Sequence, residues 1–138
     1  MNFTEQLVAM MVAVLMADGK QEPEELEVVR KVARDLELNP QEVEARISAE
    51  CAKPQPIKKV ARLVKKADAE VILESCVAVA LADSYLCQSE IDMILDIAAA
   101  LKIKPAKAVL IIAAFAQNDR SILIEGNDAL HTEEIVEE

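Results

Sequence analysis

From Leu7 to Ala17 nearly every position is apolar, and Asp18-Gly19 then stops the run. A helix apolar on all sides belongs inside a protein, and a glycine just past its end is a common stop. The pattern then changes. Leu26, Val29, Val32 and Ala33 recur at helical spacing among charged residues, the signature of a one-sided helix. Punctuation along the chain predicts seven helices. Thr4 caps Glu5 to Ala17, and Pro23 opens a second helix running to Leu36, with Glu24 and Glu25 in its first turn. Asn39-Pro40-Gln41-Glu42 starts the third with a capping-box-like pattern. After Lys53-Pro54-Gln55-Pro56 comes a fourth helix over Ile57 to Lys66. Asp68 caps a fifth over Ala69 to Ala82, the sixth covers Gln88 to Leu101, and Lys104-Pro105 opens a seventh ending near Gln117. Sustained strand alternation is missing. The fold class is therefore all-α, and Leu7 to Ala17, Val71 to Ala82 and Val109 to Phe115 are expected at its buried centre.

The helices repeat. A shift of 65 residues lays Ala13–Pro40 on Ala78–Pro105 without a gap. Identical pairs are Ala13/Ala78, Val14/Val79, Ala17/Ala82, Asp18/Asp83, Glu25/Glu90, Ala33/Ala98, Leu36/Leu101 and Pro40/Pro105. The expected architecture is two pseudo-symmetric three-helix repeats, about 3–50 and 68–117, joined by a connector helix. One domain covers 1–120, and an acidic tail covers 121–138. Ile122, Leu123 and Ile124 within that tail are apolar and are expected to pack on the domain or on a second copy. Core positions match in any duplicated helical fold. The acidic pairs Asp18/Asp83 and Glu25/Glu90 are more telling, because surface loops have no packing reason to match.

Ala17-Asp18-Gly19 followed by Glu24-Glu25 resembles the Ala-Asp-Gly…Glu signature of the tellurite-resistance TerB-like family, and Ala82-Asp83 with Glu90 resembles its second copy. The similarity spans about Phe3 to Gln117. It departs at Ser84, where the pattern prefers glycine. The resemblance implies a seven-helical, cytoplasmic, bacterial stress-response domain, met in tellurite resistance and beside co-chaperone domains. It also implies a metal site at the acidic residues, here Asp18, Glu25, Asp83 and Glu90.

The chemistry of those residues can be weighed on its own. Carboxylates suit hard cations, so Ca²⁺ or Mg²⁺ is the cofactor expected, held weakly by each loop, with the first loop the better binder. A complete EF-hand is excluded: Gly19 to Glu25 has the right spacing, but Val14 and Met16 stand where ligands are needed. The structural alternative is that the aspartates form turns and the glutamates cap their own helices.

A second candidate lies in the expected fourth helix. Lys58, Lys59, Arg62, Lys65 and Lys66 fall within roughly 120° of one another, opposite Ile57, Val60, Leu63, Val64 and Ala67. Such a basic stripe either docks an anionic partner, protein or membrane-bound, or is simply a solvated face. An adaptor using this stripe, with no metal site, is the alternative functional reading. A homodimer fits either.

Composition removes other classes. The net charge of -10 opposes nucleic-acid binding, and aromatics at 2% offer no base-stacking platform. Two isolated glycines make no phosphate-binding loop. The one histidine, His131, sits in the acidic tail and allows neither a zinc motif nor a catalytic triad, so no enzyme is expected. Cys51, Cys76 and Cys87 lack metal spacing and read as reduced cytoplasmic thiols, Cys76 as a core side chain. Asp83-Ser84-Tyr85-Leu86 is similar to the Asp-Ser-Leu of phosphopantetheine carriers, but the repeat accounts for Ser84 as the partner of Gly19. The run at Leu7 is too short to span a bilayer, which takes about 20 residues.

Overall fold

A computed structural model of the chain describes residues 1–17, 19, 23–82, 85–117 and 123–124. Among these the protein is all-helical: α1 (Phe3–Met16), α2 (Pro23–Asp35), α3 (Pro40–Ala52), α4 (Ile57–Ala61), α5 (Lys66–Ala80), α6 (Gln88–Ala100) and α7 (Pro105–Gln117). The exception is a two-residue parallel pairing of β1 (Tyr85–Leu86) with β2 (Leu123–Ile124). Leu123 and Ile124, from the expected tail, are thus hydrogen-bonded to the segment before α6. The rest of the acidic tail, with Ile122 and His131, lies outside the described residues.

α1 is the central helix and packs against α2, α3, α4, α5 and α6. Its sequence dictates this, since Leu7, Val8, Met10, Met11, Val12 and Val14 point in all directions and are all buried. The polar exception is Gln6, whose amide donates to the carbonyls of Met1 (2.8 Å) and Leu63 (3.0 Å). α5 carries the second apolar spine, with Ile72, Leu73, Cys76 and Val77 buried. Burial alone pushes the Cys76 thiol well above its ordinary range, as suits a packing residue. The expectation for α7 was too strong. Ala108, Ile112 and Ala113 are buried, but Leu110 is 59% exposed. α7 is an outer helix that lends one stripe to the core, so its low polarity was no guide to its depth.

Two helix starts differ from expectation. α1 is capped by Asn2, not Thr4. Asn2 Oδ1 accepts from the Glu5 N–H at 2.9 Å, and the Glu5 carboxylate accepts from the Asn2 N–H at 2.9 Å. Asn39 caps α3 by accepting from Gln41 and Glu42, but the Glu42 side chain turns away to accept from the Asn2 amide.

The larger correction concerns the connector. α4 ends at Ala61, not Lys66, because Leu63 and Val64 hydrogen-bond three residues back and the Leu63 carbonyl goes to Gln6. The chain turns there, and α5 starts at Lys66, placing Asp68 inside its first turn instead of at its cap. The basic residues therefore do not share one helix face.

The 65-residue offset reappears in local geometry. It carries the bounds of α2 onto α6 and those of α3 onto α7. Glu37 (φ 58°) and Lys102 (φ 64°) are both left-handed. Leu38 N–H donates to Ala33 O at 3.0 Å, and Ile103 N–H donates to Ala98 O at 2.8 Å, so α2 and α6 end with the same closing bond.

Candidate functional site

α1 and α5 end beside each other, and α2 and α6 begin there. The result is a cleft of about 150 Å³ lined by Leu15, Glu24, Glu25, Val28, Val79, Ala80, Ala82 and Glu90. Its walls are apolar because they are the last turns of the two central helices and one face of α2. Its polar groups are three carboxylates. Pro23 fixes Glu24 and Glu25 in the first turn of α2, where the positive end of the helix dipole favours acids. Glu90 holds the matching place in α6 and is only 5% exposed.

Glu90 is anchored. Its Oε1 accepts from the Cys87 N–H at 3.2 Å and from the Cys87 thiol at 3.2 Å, and that thiol also lies 3.1 Å from Ser89 Oγ. This is the helix-start capping read for glutamates at this position, with a cysteine in the cap. A buried carboxylate needs such donors, since desolvation would otherwise disfavour its charge.

Of the expected metal ligands, Glu25 and Glu90 are brought to one cleft, not left in two separate loops. Asp18 and Asp83 lie outside the described residues; they follow Ala17 and Ala82 in the chain, and Ala82 lines the cleft. Among the described residues no group of three or more His, Cys, Asp or Glu side chains is arranged to hold a metal ion. Glu24 at the rim and the Cys87 thiol behind Glu90 were not singled out as site residues from sequence. The signal for Glu24 was its place beside Glu25; for Cys87 it was the helix start.

The second candidate is dispersed over two elements. Lys58 and Lys59 are on α4, Arg62 caps its end, Lys65 precedes α5 and Lys66 begins it; all five are exposed.

No helix among the described residues is long and apolar enough to cross a membrane. A family model described as tellurite resistance protein TerB matches residues 3–47 and 52–113, which include Glu25 and Glu90. No curated protein and no solved structure matches the chain.

Proposed function

The chain belongs to the tellurite resistance protein TerB family, and on that footing we propose that it is a non-enzymatic cytoplasmic stress-response module whose acidic cleft takes one divalent cation. The observation that carries this reading is the meeting of Glu25 and Glu90, from two distant segments, in one cleft. Carboxylates from α2 and α6 lining one cleft offer oxygen donors from both helices, and a hard cation held between them would offset their like charge. Ca²⁺ or Mg²⁺ suits oxygen donors, whereas Zn²⁺ prefers Cys and His. Asp18 and Asp83, next in the chain to Ala17 and Ala82, supply further oxygens in this reading, with backbone carbonyls and water completing the shell. Glu90 Oε1 already serves the helix cap, so few protein oxygens remain, and binding is expected at about 10⁻⁴–10⁻³ M, the range of weak calcium modules.

Titration calorimetry with Ca²⁺ and with Mg²⁺ tests this. One saturable event per chain is expected, abolished in Glu25→Gln and in Glu90→Gln. The amide that replaces the carboxylate in Glu90→Gln still accepts a hydrogen bond at the cap, so that variant should remain folded. Absence of saturable heat at millimolar ion would reduce these carboxylates to caps and turn formers.

A further inference from the structure

We infer that the end of the molecule opposite the cleft is a docking surface for an anionic phospholipid bilayer. The five cations at positions 58 to 66 crowd the turn between α4 and α5, and none forms an ion pair among the described residues. Lys107 lies beside the patch, its own charge offset by Glu70. Its Nζ is 3.0 Å from Glu70 Oε2, which ties the start of α7 to the second turn of α5 and brings exposed Lys104 to the same end. A cation-rich end on a chain of net charge -10 is a local inversion of sign.

Two features favour a lipid surface over an acidic peptide. Leu63 stands between Arg62 and Lys65 in the sequence, in the turn itself, and is 49% exposed. A half-bare leucine amid cations matches the combination that seats proteins on anionic membranes, apolar side chains entering the headgroup boundary while cations meet the phosphates. The cations are also mostly lysines on separate elements, which suits a diffuse negative surface better than the paired geometry arginine forks give to single carboxylates. The acidic cleft does not cancel the attraction. It lies at the far end of α5, whose 15 residues span about 21 Å, more than two screening lengths of about 8 Å at physiological salt.

The test is co-sedimentation of the full chain with vesicles of phosphatidylcholine alone, or with about one-third phosphatidylglycerol. EDTA is present throughout, so that no cation at the cleft can bridge to lipid and the result is independent of the cation reading. Binding is expected only to the anionic vesicles and should weaken steeply with salt. Each cation near an anionic surface contributes about fivefold, so Lys58→Glu/Arg62→Glu/Lys65→Glu should weaken binding by at least about a hundredfold with an unchanged melting curve. Leu63→Ser should weaken it about tenfold and leave the salt dependence unaltered. Lack of binding to anionic vesicles at low salt would overturn the proposal, as would binding indifferent to charge reversal. Capture of a poly-glutamate peptide in preference to the vesicles would also overturn it, in favour of an acidic protein partner.

Discussion

Arg46 on α3 makes two ion pairs, one joining α3 to α1 and the other to a buried carboxylate. Its Nη2 is 2.9 Å from Glu5 Oε2 on α1, and its Nη1 is 3.1 Å from Glu50 Oε2 one turn along α3. Glu50 is 2% exposed and also accepts from the Gln55 N–H at 3.0 Å, fixing the chain after α3. Burial by itself would lower the Arg46 pKa, but the hydrogen bonds to Glu50 and Glu5 outweigh it and the net shift is upward. Arg46→Met keeps much of the stem and removes the charge, leaving Glu50 buried with a single backbone donor. Breaking a buried pair from one side costs about 3–5 kcal/mol. The Arg46 side chain is 20% exposed and its Nε has no hydrogen-bond partner among the described residues, so the loss belongs at the lower end, about 3 kcal/mol. For a chain of this length that is a fall in Tm of about 10 °C. Adding Glu50→Gln should recover about half, because the stranded charge is gone while the new side-chain amide can still accept from the Gln55 N–H. Urea unfolding of wild type, both single variants and the double variant completes the cycle. A loss under about 1 kcal/mol in Arg46→Met, or strict additivity in the double variant, would refute the argument.

Two further predictions use the same assays. The Glu5 carboxyl is held below the usual range, first by the Asn2 backbone N–H and then by Arg46, so its contribution is complete above the unfolded carboxylate pKa of about 4.3 and is lost as pH falls through the lower folded value; melting curves should show a steeper acid-side drop for wild type than for Glu5→Gln. Glu37→Gly and Lys102→Gly remove a side chain from a left-handed residue, which gains about 1–2 kcal/mol of relieved strain against about 0.5–1 kcal/mol of unfolded-state entropy; each should raise stability by about 0.5 kcal/mol in urea, and a loss in either would mean its side chain makes a contact the turn depends on.

How far the fold could be read from sequence depended on whether local chemistry or tertiary contact set each feature. α1 was legible because an all-round apolar helix has one place to go, and α6 and α7 were legible because Pro40/Pro105 and the repeated apolar spacing mark the same starts twice. The end of α4 was not legible. Lys58 to Lys66 has good helix formers and no glycine or proline, and the break comes from the Leu63 carbonyl bonding to Gln6, a residue 57 positions away. The depth of α7 failed for a related reason. Its apolar residues exceed what one core-facing stripe can use, and composition cannot say which stripe is covered, so Leu110 stays out while Ile112 goes in.

The candidate site shows the same division. The offset of 65 residues identified Glu25 and Glu90 as equivalent, and their roles at helix starts follow from position alone. Equivalence says that two residues sit alike in their own surroundings; it does not say that those surroundings adjoin. That they do depends on α1 and α5 ending side by side, which is settled by the packing of the two helices against each other. The consequence is thermodynamic. Two independent loops would each bind an ion without reference to the other, and losing Glu90 would leave the first loop's affinity intact. In the proposed reading, a shared cleft would make one equilibrium of ion binding and the approach of α2 to α6, so both glutamates would be needed for the whole signal. Stoichiometry and the effect of a single substitution therefore separate the two arrangements, where affinity alone does not.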